Sequence, residues 1–589
     1  MAEELERYLG DPQDERNPFS YAQAVALDEV EQYPERACAL LDEWGLPDFY
    51  VPAACGGRLR SYEELISLLR VVARRDFTVG FAYSILSLLG SAATWVGGTD
   101  CQKKKVAQLL KERKQIILAY NEKAHGGDFM ATEVKAVKVD GGYQLSGEKW
   151  LIGNAVRCSA LTVMARTRDE AGPRSLSLFL VEKSALDPHS FEHLPHIKTH
   201  GVRGAHVSGI RFKESFVSED SLIGAEGTAL EQTLKAFQLT RAVIPALALG
   251  AADTALRSTF DFARSRQLYG ARVVALPQVR RTLVEVFLDL LIGDCLTMAC
   301  ARAVHQTPEQ MRLYSAVVKY YVPQSLEEVI ERLGMVLGAR HYLREEHWHG
   351  TFQKLLRDNV VLRYHFNAAL NLTTIGVHLR DLAQHRAQAA AAPELQTRLA
   401  SVFNLDHPLA EFDPNRLSLY TRGRDDFLNG LELALEQLRQ LDQQCLVAQV
   451  ERLLEQRQAA DEEQREVSSR LGSDYSRSPE LFEQAERYCV LEAAACCVHM
   501  WLHNRERLGE FFARGDWLVL SLERLLVRLG QQRSVLPAEH EERVAEELER
   551  LFEEERLFSI VPLQLAQRDE LQFVSNTLQE SNALCTKNL

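Results

Sequence analysis

No Cys-x-x-Cys pair occurs in the 589 residues, and none of the eleven cysteines stands at a Cys/His spacing that closes a zinc site. Reduced thiols are expected, not a metal centre or a disulfide scaffold. Net positive charge is also missing. Against 82 Asp and Glu stand 68 Lys and Arg, a formal charge of −14, so no overall field draws nucleic acid or an anionic membrane. The opening Met1-Ala-Glu-Glu-Leu-Glu-Arg7 has neither an apolar signal core nor the Arg-rich, acid-poor character of a transit peptide, and a cytoplasmic location is the expectation. Between Phe77 and Thr99 there is no charged residue, a length sufficient to cross about 30 Å of hydrocarbon. Gly80, Gly90, Gly97 and Gly98, with several Ser and Thr, keep that stretch weakly hydrophobic, so a buried core helix is expected and no integral membrane segment.

At this length one hydrophobic core is exceeded, and 46% hydrophobic with 25% charged residues is an ordinary globular balance. Helical spacing runs from about residue 20 to 117, as in Leu65, Leu68, Leu69 and Val72. From 118 to 226 short β-branched and alternating runs replace it, and Asp140-Gly141 between two of them signals a hairpin with positive φ at both central positions. Helical spacing returns over 227–386, through Ile244, Leu247, Ala248, Ala251 and Ala255, then Leu283, Val286, Phe287, Leu290 and Leu291. An Ala-rich stretch ending at Pro393 reads as a linker over 387–396. Residues 397–589 form a further helical domain without a catalytic motif, where dense Glu and Arg mark solvated helix faces or a docking surface. The fold class is therefore mainly α with a central β domain and a C-terminal all-α extension.

Four short segments stand out. They are Val51-Pro-Ala-Ala-Cys-Gly-Gly57, Asn121-Glu-Lys-Ala-His-Gly-Gly-Asp128, Gly147-Glu-Lys-Trp-Leu-Ile-Gly-Asn154, and Arg266-Gln-Leu-Tyr-Gly270 with Gln278 downstream. In that order they resemble the VPeeyGG, TEpgaGSD, GxKxxITN and RxxFG…Q segments of acyl-CoA dehydrogenases, over about residues 20–386. The resemblance implies an N-terminal helical domain, a middle β-barrel-like domain and a C-terminal helical bundle. It implies FAD as cofactor and a homodimer or homotetramer. Tyr120, Asn121 and Gly127 would contact the flavin, since paired glycines let backbone N–H groups approach an anionic or ring-edge group. Leu151 and Gly153 would lie against its ring, Asn367 or Ala368 would take the place of a flavin-bonding Thr, and Arg266, Tyr269 and Gln278 would reach the nucleotide held by a neighbouring subunit.

The family's reaction removes a proton α to a thioester carbonyl while hydride leaves the β carbon, and it needs a positioned base and a carbonyl-polarising site. The family's base is a glutamate, either after an Arg-Asp pair or just before an Arg on an earlier helix. Here Arg357-Asp358 leads to Phe366 in one register and His365 in the other, and Thr240 precedes Arg241 on the earlier helix. A neutral imidazole accepts protons near neutrality, so His365 is the first candidate for the base, with Arg241 beside the alternative position; pocket filling by His365 is the competing reading. Glu345 and Glu346 supply a carboxylate only if their loop folds inward. Other family contacts are altered too, with Gly127 for Ser, Leu151 for Trp and Gly153 for Thr.

Three functions follow as expectations. The first is FAD-dependent dehydrogenation of an acyl thioester, carried on coenzyme A or an acyl carrier protein, in fatty acid or a specialised metabolism, with electron-transfer flavoprotein or oxygen as acceptor. The second is a flavin monooxygenase or oxidase on the same fold. The third is a non-redox homologue that binds an acyl thioester or a partner protein. An acidic carrier protein needs a local basic surface, for which Arg505, Arg507 and Arg514, and Arg524, Arg528 and Arg533, are candidates.

Overall fold

The computed structural model describes residues 1–170, 172–364, 368–388 and 394–566. Helices dominate, and one eight-stranded sheet interrupts them between residues 116 and 223.

In the N-terminal part, Ser61 caps the Tyr62–Arg75 helix by accepting from Glu64 N, and its apolar face of Leu65, Leu68, Leu69 and Val72 is buried. Asp76 then starts a second helical run, which passes through a π-helical segment, Gly80–Ile85, into the Leu86–Gly97 helix. A π segment holds an extra residue per turn and recurs at functional sites. Two stretches are long and apolar enough to cross a membrane, Phe77–Gly97 and Ala229–Ser265, and 94% and 100% of their most apolar windows are buried inside the fold. The charge-free 77–99 stretch is thus a core element.

The sheet comprises β1 (Ile116–Ala119), β2 (Lys135–Val139), β3 (Gly142–Gly153), β4 (Ala160–Arg166), β5 (Leu176–Glu182), β6 (Phe191–His193), β7 (Val207–Ser218) and β8 (Leu222–Ile223). Its order is β6-β7-β3-β2-β4-β5-β8, with β1 running parallel to β4. Val139 pairs with Gly142 across the expected Asp140-Gly141 hairpin, yet only Gly141 takes positive φ, at 74°. Glycine alone supplies the reversal, so the turn differs from the one expected. Along β3 and β7 the register shifts between Leu145 and Gly147 and again between Trp150 and Ile152. Such bulges bend a strand and redirect a side chain.

The following helices, Ala229–Val243, Pro245–Ser265, Pro277–Gln306 and Met311–Leu337, bury the apolar positions read from the sequence. Pro245–Ser265 crosses Tyr62–Arg75 so closely at Gly250 that a Cβ there would stand 2.7 Å from Arg70 O, and Thr254 Oγ1 donates to Arg74 O at 2.6 Å. Asp358 joins three parts of the chain, accepting from Lys354 Nζ and Val202 N at 2.6 Å each and from Thr78 Oγ1 at 3.2 Å.

Residues 394–566 add the helices Leu395–Phe403, Leu431–Gln440, Gln444–Leu471, Pro479–Asn504, Asp516–Arg528 and Ala538–Glu553. They share one hydrophobic core with the bundle, through Phe403, Cys496, Leu522 and Phe558. Buried Arg302 donates to the carbonyls of Val402, Asn404 and His407 at 2.6, 2.8 and 2.8 Å. The six arginines considered as a basic docking surface are all ion-paired. Arg524 and Arg528 reach across to Asp289 and Glu328, Arg533 to Glu285, and Arg505, Arg507 and Arg514 to Glu506, Asp406 and Glu510. Arg524 and Arg528, on the Asp516–Arg528 helix, thus join it to the Pro277–Gln306 and Met311–Leu337 helices.

Candidate functional site

Strand β1 delivers Tyr120 into the interior, where its ring stands edge-on to Phe129 at 5.8 Å and 6.4 Å from Phe237 of the Ala229–Val243 helix. Its hydroxyl accepts from Thr233 Oγ1 at 3.4 Å, and burial raises its pKa. Thr233, Phe237 and Arg241 lie four residues apart and share one helix face. The β domain and this helical stripe therefore meet at Tyr120.

Beyond Tyr120 the chain enters the loop that carries Asn121 and Gly127. Asn121 O accepts from Trp150 N at 2.9 Å, and buried Glu122 accepts from Glu133 N at 2.7 Å and Val134 N at 3.2 Å. Lys149 Nζ donates to Glu122 Oε1 at 2.7 Å and to Tyr120 O at 3.0 Å. Burial pulls the Lys149 pKa down to about 8 against the attraction of Glu122. This pair fixes the loop to β3. Gly126 has φ of 56°, and a Cβ on Gly126 or Gly127 would meet nothing within 4 Å, so the loop presents bare backbone to open space. Glu122, His125 and Glu133 bring one ligand atom each within 4.8 Å of one another, but the Glu122 oxygens are already occupied by Lys149 and two backbone N–H groups.

The second β3 bulge turns Leu151 outward, 42% exposed with φ of 59°. At Gly153 a Cβ would approach Leu86 Cδ1 to 3.0 Å, and Asn154 Nδ2 donates to Ala82 O at 2.6 Å. The π segment thus backs directly onto the end of β3.

Arg241 is 1% exposed, and among the described residues its Nε, Nη1 and Nη2 have no hydrogen-bond partner. The guanidinium lies 5.4 Å from the centre of the Phe237 ring. Burial and the nearby Arg312 lower its pKa to about 9. Lys319, on the Met311–Leu337 helix, donates to Leu362 O at 2.6 Å, and burial with repulsion from Arg241 lowers its pKa to about 7. Thr240 is buried and donates to Phe237 O within its own helix at 3.4 Å, so it offers neither a carboxylate nor a free hydroxyl.

Tyr120, Asn121, Gly127, Leu151 and Gly153 are brought together around the loop and the end of β3, with Arg241 two turns along the helix that meets them. Arg266, Tyr269 and Gln278 stand elsewhere, on an exposed hairpin of β9 (Gln267–Leu268) and β10 (Ala271–Arg272) and on the first turn of the next helix. Tyr269 and Gly270 turn the hairpin with φ of 53° and 80°, and Tyr269 is 96% exposed. His365 and Asn367 lie outside the described residues. Glu345 and Glu346 are exposed, and Arg344 beside them pairs with Glu29, so the loop does not carry them inward. Sequence reasoning left Glu122 and Lys149 without roles although both stand inside quoted motifs, and it had no signal for Lys319.

Residues 118–215 match the acyl-CoA dehydrogenase middle domain and residues 228–365 the acyl-CoA dehydrogenase C-terminal domain. Over these two regions the chain carries acyl-CoA dehydrogenase domains. Probable acyl-CoA dehydrogenase fadE25 of Mycobacterium leprae is 24% identical over 320 residues, which are 54% of this chain and 81% of that protein. Acyl-CoA dehydrogenase complexed with FAD from Bacillus anthracis superposes with a TM-score of 0.70 at 16% identity, covering 94% of each chain. That likeness of fold takes in most of the C-terminal helices. The prolyl acyl carrier protein oxidase AnaB superposes with a TM-score of 0.55 at 20% identity, over 61% of this chain and 97% of its own.

Proposed function

We propose that the chain is an acyl-CoA dehydrogenase family member and an FAD-dependent oxidoreductase acting on the α,β carbons of an acyl thioester. The observation that carries the reading is the meeting of the Asn121–Asp128 loop, the Leu151–Gly153 bulge and the Thr233–Phe237–Arg241 stripe at Tyr120. Bare backbone at Gly126 and Gly127, with open space over both, fits an anionic or ring-edge group of a flavin nucleotide. The outward Leu151 fits its flat ring. Exposed Arg266, Tyr269 and Gln278 fit the nucleotide of a second copy, which makes the active form a homodimer or homotetramer. Bound there, FAD supplies a two-electron acceptor for the C–H bond β to the thioester.

The chain's own groups hold the site. Glu122 and Lys149 lock the loop to β3, and Tyr120 seats it on the helix. His365 is proposed as the proton acceptor, on sequence grounds, because Thr240 occupies the alternative position and is consumed by its own helix. Coenzyme A or an acyl carrier protein carries the acyl group, and electron-transfer flavoprotein or oxygen takes the electrons. Oxygen as acceptor, an oxidase reading, is favoured by one observation: among the described residues no acidic side chain pairs with Arg241, and Thr240 stands at the base position beside it.

The visible spectrum of the purified protein, before and after added FAD, tests the reading. No flavin absorption in either case sinks it. With flavin bound, anaerobic bleaching by an acyl thioester identifies dehydrogenation, and bleaching that His365→Ala leaves unchanged removes His365 from the base role.

A further inference from the structure

A hydroxyl has one proton to give. Tyr488, on the Pro479–Asn504 helix, holds its Oη 2.7 Å from Asp425 Oδ2 and 2.8 Å from Glu492 Oε1, so it donates to one carboxyl oxygen and has to accept from the other. The side chains of Asp425 and Glu492 also lie within hydrogen-bonding reach of each other. Two carboxylates cannot bond, because each only accepts. A proton therefore resides on one of the two acids.

Charge decides which. Asp425 is fully buried, lies 3.4 Å from Arg386 Nη1, and accepts from Leu428 N at 3.3 Å through its other oxygen. Arg386, on the Ala368–Gln388 helix, also gives Nε and Nη2 to Asp461 at 2.8 and 2.6 Å, so one cation already serves two carboxylates. Glu492 is 1% exposed, and its Oε2 has no donor among the described residues. The other titratable groups facing it bring no positive charge. They are Cys489 and Cys496 of its own helix, Cys300 of the Pro277–Gln306 helix and Tyr314 of the Met311–Leu337 helix, all kept neutral by burial. Burial and the neighbouring Asp425 push the Glu492 carboxyl well above the usual carboxylate range.

The acids stand where the C-terminal helices meet the bundle. Asp425 caps the Asp426–Asn429 turn, Asp426 N donates to Tyr314 Oη at 2.9 Å, and Arg386 ties the last bundle helix to Asp461 of the Gln444–Leu471 helix. We propose that Glu492 is held as a neutral acid whose shared proton clasps the Pro479–Asn504 helix to the bundle, and that rising pH opens this clasp. On opening, the Glu492 O–H proton passes to water, and the two carboxylates are left with one Tyr488 proton and one guanidinium between them. The sign follows from linkage. The unfolded chain gives up this proton at the ordinary value of 4.5 while the folded chain keeps it to higher pH, so stability from this group is full below 4.5 and declines until the folded acid ionises.

Urea unfolding of the full-length protein and of Glu492→Gln, from pH 6 to pH 8, tests this. Glutamine copies the neutral acid, donating from Nε2 and accepting at Oε1, but does not titrate. The variant is expected to equal or exceed the unaltered protein in stability at pH 6. The ratio of the two unfolding constants is expected to grow at least tenfold by pH 8, since it changes about tenfold per pH unit while only the folded acid stays protonated. A variant markedly less stable at pH 6, or unable to fold there, overturns the proposal, because glutamine fails only as a substitute for an ionised Glu492. A ratio that stays constant over the range overturns it as well. Infrared difference spectra between the two proteins at pH 6 are expected to show the C=O stretch of an undissociated acid, and its absence is equally fatal. Hydrogen exchange, corrected for intrinsic rates, locates the opening. Protection over Pro479–Asn504 is expected to fall with pH ahead of the bundle helices in the unaltered protein and not in Glu492→Gln, whereas loss spread evenly over the chain would sink the clasp.

Discussion

Lys149 Nζ stands 2.7 Å from Glu122 Oε1, with 0% and 6% of the two side chains exposed. Each residue belongs to a different sequence motif, and their contact turns two separate segments into one rigid edge. Removing one partner leaves the other as an uncompensated buried charge, which costs about 3–5 kcal/mol. Lys149→Met is therefore expected to lower the urea midpoint strongly, and the double variant Glu122→Gln with Lys149→Met to recover most of the loss. A double variant no more stable than Lys149→Met alone would deny the pair this role.

Lys319 gives a pH dependence of defined sign. Its folded pKa is about 7 against an ordinary value of 10.5, so between those values the unfolded chain binds the extra proton. Stability from this group thus rises as pH increases from about 7 toward 10.5 and is penalised below 7. Lys319→Met removes the penalty. Its stability relative to the unaltered protein is expected to be highest near pH 6 and to fall steadily by pH 9.5, in urea unfolding followed at each pH. A constant difference across that range would contradict a buried, depressed Lys319.

The order of helical, β and helical regions was legible because burial repeats every two or 3.6 residues along the chain itself. Leu283, Val286, Phe287, Leu290 and Leu291 are buried as that spacing requires. The lack of a partner for Arg241 among the described residues was not legible, since its surroundings depend on what the Met311–Leu337 helix brings beside it from about 70 residues away. Arg524 illustrates the converse. It clusters in sequence with Arg528 and Arg533, while its partner, Asp289, is 235 residues distant, so a pattern that suggested a docking surface turns out to be a helix-to-helix ion pair. Asp140-Gly141 was read correctly as a hairpin but with the wrong turn geometry, because pattern fixes where a chain reverses more firmly than the φ of each residue.

On the exposed hairpin, Arg266 makes no ion pair among the described residues. If it holds nucleotide phosphate in a second copy, a charge-assisted hydrogen bond of about 1.5–3 kcal/mol is at stake. Arg266→Ala is expected to weaken FAD retention by about tenfold or more, in a fluorescence titration of FAD-stripped protein. Its melting temperature without FAD should be unchanged, because the side chain is exposed. Unaltered affinity in a protein shown to be dimeric would remove Arg266 from the flavin site.

Asp294 pins the C-terminal segment to the bundle. One carboxylate oxygen lies 3.1 Å from Arg70 Nη1, and the other accepts from Ile560 N at 3.0 Å and from the Ser559 hydroxyl. Arg70 Nη2 in turn donates to Phe558 O at 2.7 Å. Asp294→Ala strands a buried guanidinium, the Ile560 N–H and the Ser559 hydroxyl together, with an expected loss of about 3–5 kcal/mol. A surface pair such as Arg514 with Glu510, 53% and 80% exposed, provides the contrast, and Arg514→Ala is expected to cost under about 1 kcal/mol. Limited proteolysis under native conditions separates local release from global destabilisation. Cleavage of Asp294→Ala near residues 556–561 before the bundle itself is cut would show that this carboxylate holds the C-terminal segment in place. Cleavage spread evenly over the chain would show instead that the buried pair stabilises the bundle as a whole.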